Sequence, residues 1–272
     1  MVEFDIDSMS KLPTVQTKQR EILSLLRNPT TGKSLVLEDG AMVDPITGES
    51  FEIRNGIPVI LRKDDVFGNN RKQQIAYNWF SYAYDLMYAL PLPNLQQWLD
   101  ELAEIMMVES GDRVLETSVG TGQQFRNFAQ RGVEAHFFGN DISYGMLNKC
   151  RKNLEKWNID IGLVQGNAEA LPFESELFDV VFHVGGFNLF NDKQAAIDEM
   201  IRVAKPGANV YIVDESSEFI NLPEVVVRLI PERAIRVADP PIHLVSNKMH
   251  DIGSMEIANG KFWMVSFRKP SK

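Results

Sequence analysis

The chain has 272 residues, 44% of them hydrophobic and 24% charged, with a formal net charge of −9. These values fit a globular protein with one large domain and room for a small appendage. They disfavour a basic nucleic-acid binder, because phosphate binding depends on clustered cations. A single cysteine, Cys150, excludes an intrachain disulfide and fits a reducing compartment. No apolar run reaches the roughly 18–20 residues of a membrane helix, and the start, MVEFDIDSMS, lacks a basic-then-apolar leader, so a cytoplasmic location is expected.

Residues 1–65 predict a small β-rich module. Turn formers cluster at Asn28-Pro29-Thr30-Thr31-Gly32, Glu38-Asp39-Gly40, Asp44-Pro45-Ile46-Thr47-Gly48 and Arg54-Asn55-Gly56. Short β-type runs separate them, behind one helix near residues 17–27. Residues 66–109 predict helices. Tyr77, Phe80, Tyr84 and Met87 share one face, Leu90-Pro91-Leu92-Pro93 interrupts, and Leu95, Trp98, Leu99, Leu102 and Ile105 form a second stripe. Such stripes read as core packing or as a helical lid over a site.

Residues 110–272 predict an α/β domain. Strand patterns at 113–117, 135–140, 161–165, 179–184 and 209–213 alternate with amphipathic helical stretches. Repeated β-α-β units require a mostly parallel sheet, since each crossover returns the chain to the same end. Asn259-Gly260, between two β-type runs, predicts a C-terminal antiparallel hairpin.

The stretch VLETSVGTG at 114–122 has the form of a strand running into a glycine-rich turn, where an open α/β sheet holds its ligand. A dinucleotide fingerprint would need glycine where Ser118 and Gln123 stand. A phosphate-binding loop would need Lys-Ser/Thr where Gln123-Gln124 follow. What remains is acid-x-small-x-Gly-x-Gly.

This pattern resembles the first motif of the class I S-adenosylmethionine-dependent methyltransferases. Four further segments resemble that family's motifs, in its order: Gly139-Asn140-Asp141-Ile142-Ser143, Gly166-Asn167-Ala168-Glu169-Ala170-Leu171-Pro172-Phe173, Phe178-Asp179-Val180-Val181 and Arg202-Val203-Ala204-Lys205-Pro206-Gly207. The closest flavour is the type 11 group with the ubiquinone and menaquinone C-methyltransferases. The resemblance implies a Rossmann-like seven-stranded, mostly parallel sheet, S-adenosylmethionine as cofactor and S-adenosylhomocysteine as product. It also implies a cofactor site at Glu116, Ser118, Gly120, Gly122, Asp141, Ile142, Asn167, Ala168 and His183, with no metal. Asp141 would accept both ribose hydroxyls, and Asn167 and Ala168 would read the adenine edge. Asp141 could instead cap the next helix. Asn167 replaces the family's usual Asp, a charged acceptor exchanged for a neutral one. Ser118 replaces a glycine, which is harmless if its φ is negative.

The N-terminal module resembles a Trm112-like zinc ribbon. The four cysteine positions would be Asn28, Thr31, Asp44 and Thr47, none a thiol, so thiolate zinc ligation is impossible and turns and apolar contacts must replace the metal. For methyl transfer, the base candidates at the strand ends are His183 and Asp214-Glu215, with His183 as a weak catalytic candidate. The chain has Gly185-Gly186-Phe187-Asn188 where the ubiquinone-type enzymes carry Gly-Leu-Arg-Asn, which argues against assuming a quinone. Segment 216–250, apolar in parts, would cover the acceptor pocket. The expected activity is methyl transfer to a small, partly apolar acceptor. The alternatives are RNA modification and a non-catalytic cofactor-binding partner subunit.

Overall fold

The computed structural model describes residues 17–62, 65–89, 95–216 and 239–272, without the side chains of residues 79–80, 82–89 and 95–97. A first helix, α1 (Thr17–Leu25), precedes four short strands: β1 (Val36–Glu38), β2 (Ala41–Val43), β3 (Ser50–Arg54) and β4 (Ile57–Pro58). They form one antiparallel sheet in the order β1-β2-β3-β4. Helices α2 (Gly68–Ala89) and α3 (Leu95–Ile105) follow. The main domain then runs β5 (Arg113–Glu116), α4 (Gln123–Gln130), β6 (His136–Asp141), α5 (Tyr144–Trp157), β7 (Gly162–Gln165), β8 (Phe178–Val184), α6 (Lys193–Val203) and β9 (Ala204–Glu215). It closes with β10 (His250–Ile257) and β11 (Phe262–Arg268).

The seven strands of the main sheet lie in the order β10-β11-β9-β8-β5-β6-β7. Strands β5 to β9 are mutually parallel, and β11 pairs antiparallel with both β9 and β10. The order reverses between β5 and β8, which puts the ligand crevice at the C-terminal ends of these two strands. The hairpin turn carries three successive left-handed residues, Ala258, Asn259 and Gly260. Strand β9 is longer at its start than expected. Lys205-Pro206-Gly207 stays in the strand, with Gly207 at φ 83° marking the irregularity.

The resemblance-bearing segments are tied to one another. The Arg202 guanidinium donates to the carbonyls of Phe173 (2.7 Å) and Leu171 (2.9 Å) and so anchors the loop after β7. Lys205 Nζ meets both carboxylate oxygens of Asp179 at 2.7 Å. Gly139 has no room for a side chain: a Cβ there would stand 2.9 Å from Val119, and this close contact seats the glycine turn on β6.

The N-terminal sheet does not stand apart. Val59 pairs in parallel with Gln165 at the outer edge of β7, and Ile60 N–H donates to the Gln165 carbonyl at 2.8 Å. On the same edge, the Gln19 side-chain amide bonds both backbone groups of Leu163, donating at 2.9 Å and accepting at 2.8 Å. Unpaired strand edges invite association, and here the chain's own N-terminal segment covers one. Ile22, Leu26, Met42 and Phe51 are buried in one apolar cluster with Phe138, Val164 and Phe173 of the main domain.

Within the module, two turns share one hydrogen-bond pattern. Gly32 N–H donates to Asn28 O and Gly48 N–H to Asp44 O, each at 2.8 Å. Asn28 N–H donates to Lys33 O at 2.9 Å and Asp44 N–H to Glu49 O at 2.8 Å. The side chains of the two turns meet at Asp44, which is fully buried. Its Oδ2 accepts from Asn28 Nδ2 and Thr31 Oγ1, both at 2.7 Å, and its Oδ1 accepts from the N–H groups of Ile46 (2.9 Å) and Thr47 (3.2 Å). The Thr31 hydroxyl, with these backbone donors, holds the Asp44 carboxyl down to about 2. Turns and the apolar contacts of Leu35, Met42 and Phe51 are both present, and a buried polar cluster that the sequence did not show links the two turns.

Candidate functional site

The glycine turn after β5 is built on left-handed backbone at Gly120 (φ 54°) and Gly122 (φ 84°). A Cβ on Gly120 would meet nothing within 4 Å, whereas one on Gly122 would stand 2.9 Å from Cys150 Sγ. Open space at the first glycine and close packing at the second are what a ligand-facing turn requires. Ser118 is not among the residues of positive φ, so its side chain costs the turn no strain.

Asp141 ends β6. Its Oδ2 accepts from Gly120 N–H at 2.9 Å and its Oδ1 from Ser143 N–H at 2.8 Å, which orients the carboxylate beside the turn. Burial raises its pKa to about 6, against the backbone donors, which lower it. Helix α5 is capped not by Asp141 but by Ser143, whose Oγ accepts from Met146 N–H at 3.2 Å. Asn167, after β7, accepts from Glu169 N–H at 3.0 Å through Oδ1 and donates to Asp65 O at 3.3 Å. One lone pair of that oxygen remains for an amine.

These groups border one cleft, whose empty space of about 780 Å³ includes solvent at its open mouth. Ser118, Gly120, Asp141, Ile142, Asn167 and Ala168 all line it. Glu116, Gly122 and His183 do not; they stand behind its wall. Glu116 is buried with Oε2 unpartnered, and burial together with the Asp141 charge pushes its carboxyl well above the ordinary range. His183 is fully buried, with Nδ1 3.0 Å from Thr117 Oγ1 and its ring edge-on to Phe187 and Phe190. Burial lowers its pKa to about 4, so the ring is neutral at physiological pH.

Asn70 and Gln73 were not singled out from the sequence. With Tyr77, which stood on the expected lid stripe, they reach the cleft from α2, at spacings of three and four residues along one helix face. Polar contacts hold this helix over the cleft. Asn70 Nδ2 donates to Glu169 Oε1 at 2.9 Å, and Gln74 Nε2 to Ile142 O at 3.0 Å. Asn78 Oδ1 accepts from Gly145 N–H and Ser143 Oγ, both at 2.7 Å. The side chains of Phe80, Tyr84 and Met87 fall outside the described residues, as does most of the segment expected over the acceptor, residues 217–238. Val184, Gly185, Gly186, Leu189 and Phe190 wall the cleft at the β8 end, and Glu215 at the β9 end.

Residues 114–207 match the family model of a methyltransferase domain. The ubiquinone/menaquinone biosynthesis C-methyltransferase UbiE of Stenotrophomonas maltophilia is 35% identical over 158 residues, 56% of this chain and 62% of that protein. The chain thus spans less than two thirds of that relative's length. Among solved structures, the Haemonchus contortus phosphoethanolamine N-methyltransferase 2 in complex with S-adenosyl-L-methionine aligns with a TM-score of 0.58 at 18% identity, over 71% of this chain and 57% of that one. The [4+2]-cyclase SpnF aligns with a TM-score of 0.55 at 14% identity, over 65% of this chain and 81% of that one. Both likenesses show the fold. The chain therefore carries a methyltransferase domain, and the cofactor this domain implies is S-adenosylmethionine. The family match begins at residue 114, so the resemblance of the N-terminal module rests on that module's own residues.

Proposed function

We propose that this chain, with its methyltransferase domain at 114–207, is an S-adenosylmethionine-dependent methyltransferase acting on a small, partly apolar acceptor. The observation that carries this reading is the division of the cleft. One half holds the polar groups Asp141 and Asn167 at the ends of β6 and β7. The other is walled by Val184, Leu189 and Phe190 near the end of β8. In this reading Asp141 binds the ribose hydroxyls, Asn167 and Ala168 read the adenine, and the backbone at Ser118 and Gly120 holds the amino-acid end. The bound cofactor supplies an activated methyl group on a sulfonium. The protein's task is then to align an acceptor in line with that group and to keep water out. Gln73 and Tyr77 of α2 form the roof that does so.

The N-terminal module is read as a Trm112-like framework whose Asp44 cluster stands where that type carries zinc ligands. The same residues support it as a fixed part of the enzyme, since it shares a core with the main domain.

Thermal shift with S-adenosylmethionine and S-adenosylhomocysteine tests the enzyme reading. Both are expected to stabilise the protein, and the Asp141→Ala variant is expected to lose the effect. An unchanged melting temperature for the native protein with either compound overturns the proposal. Transfer of labelled methyl from the cofactor to a small-molecule extract rather than to ribosomal RNA then identifies the acceptor class.

A further inference from the structure

The sheet order orients the cleft. Adenosine-side groups stand at the ends of β6 and β7, and the glycine turn follows β5. Strands β8 and β9 lie on the opposite side of β5 from them. Neighbouring strands are about 4.8 Å apart, so the end of β9 is displaced about 10 Å from the glycine turn, away from Asp141. Glu215 is the last residue of β9 and lines the cleft there. Among the described lining residues the ionisable side chains are Asp141, Tyr77 and Glu215, and none is a Lys or Arg.

Beside Glu215, Asp214 is fully buried and accepts from three backbone donors. Its Oδ1 accepts from Gly186 N–H and Glu215 N–H, each at 3.0 Å, and its Oδ2 from Asn188 N–H at 2.7 Å. Two carboxyls this close do not both ionise readily. Burial, with the Asp214 carboxylate beside it, raises Glu215 to about 9. Among the described residues near it, Lys193 Nζ lies 3.4 Å from Asn188 Oδ1. His183 on β8 is neutral, Lys261 in the hairpin points to solvent, and Tyr77 lies on the roof.

We propose that Glu215 is the proton-accepting residue of the acceptor half of the cleft, charged when a sulfonium occupies the site, and that the acceptor is an O–H or N–H compound. This rests on the methyltransferase reading above. As the acceptor's lone pair bonds to the methyl carbon, the S–C bonding pair stays on sulfur. The acceptor's proton passes to the Glu215 carboxylate and from there to solvent when the products leave. Electrostatics give the sign. A positive charge in the cleft favours ionised Glu215, so cofactor binding expels the Glu215 proton, and only the sulfonium form does this.

Calorimetric titration at pH 8 in buffers of differing ionisation enthalpy measures the proton directly, with no acceptor present. S-adenosylmethionine is expected to release about half a proton or more per molecule bound, and S-adenosylhomocysteine close to none. E215Q is expected to bind both with no difference in proton release. Equal release for the two compounds in the native protein overturns the inference. So does sulfonium-specific release that persists in E215Q, which places the proton on Glu116, since Asp141 is already ionised at pH 8. If neither compound binds, the methyltransferase reading fails instead. Should E215Q not fold, Glu116→Gln takes its place: sulfonium-specific release that survives that change stays with Glu215, and release lost with it overturns the inference.

Discussion

Cofactor affinity is expected to fall in acid, through Asp141. Its carboxyl titrates at about 6, and only the ionised form can accept from both ribose hydroxyls while still accepting from Gly120 and Ser143 N–H. It is about 90% ionised at pH 7 and about 10% at pH 5, so apparent affinity drops about tenfold over that interval. The direction follows from burial: the charged form is disfavoured in the free protein, and a ligand that needs it must supply the difference. S-adenosylhomocysteine is the right probe, since it lacks the sulfonium that would also act on Glu215. Asp141→Asn removes charge from two hydrogen bonds of about 1.5–3 kcal/mol each and turns an amide donor toward the Gly120 or Ser143 N–H. It should bind about 10–100-fold more weakly, with no pH dependence between 5 and 8. Equilibrium binding at stepped pH reads both. A native profile that stays flat, or an Asn variant that keeps the native slope, would move the titrating group elsewhere and refute the reasoning.

Three further outcomes follow from the geometry. Gly145→Ala would place a Cβ 2.7 Å from the Asn78 backbone, pushing α2 away from the cleft. Overpacking of this kind costs about 1–3 kcal/mol, so S-adenosylhomocysteine should bind about 5–100-fold more weakly and α2 should become easier to proteolyse; unchanged values for both would count against α2 as the roof. Gly122→Ala combines a φ of 84° with a clash at Cys150 Sγ, and should lower thermal stability by about 1–3 kcal/mol, partly restored by adding Cys150→Ala. Asp44→Ala should lower the melting temperature, whereas a chelator should leave the native value unchanged; a chelator-sensitive melt would mean that a metal, not the Asp44 cluster, joins the two turns.

The motifs of residues 111–215 were legible because each is local: a strand, a turn and a helix start lie within a few residues. Strand positions agreed to within one or two residues, except at the start of β9. The Asn259-Gly260 hairpin was equally local. What the sequence did not show is which surfaces meet. The stripe containing Tyr77 has the period of a helix, but periodicity does not say that Asn70, Gln73 and Tyr77 face a ligand cleft. Pairing of Val59 with Gln165, over 100 residues away, leaves no local signature. Nor does the link from Asn28 to Asp44, where three ordinary polar residues act together only once two turns are folded against each other. His183 stood next to the site in sequence, but the alternation of a strand turned its ring into the core behind Thr117.

The covering of the β7 edge bears on the order of events during synthesis. Residues 17–60 leave the ribosome ahead of the main domain, yet their core partners include Phe138, Val164 and Phe173, and the strand they cover ends at Gln165. The opening part of the chain must therefore wait, with apolar surface exposed, until more than a hundred further residues have emerged. Contacts of such long sequence separation slow folding and lengthen the exposure of sticky surface. A fragment beginning at residue 110 would meet the converse difficulty, a bare parallel edge with nothing to close it, and should be recovered largely as aggregate unless residues 17–62 are supplied in trans.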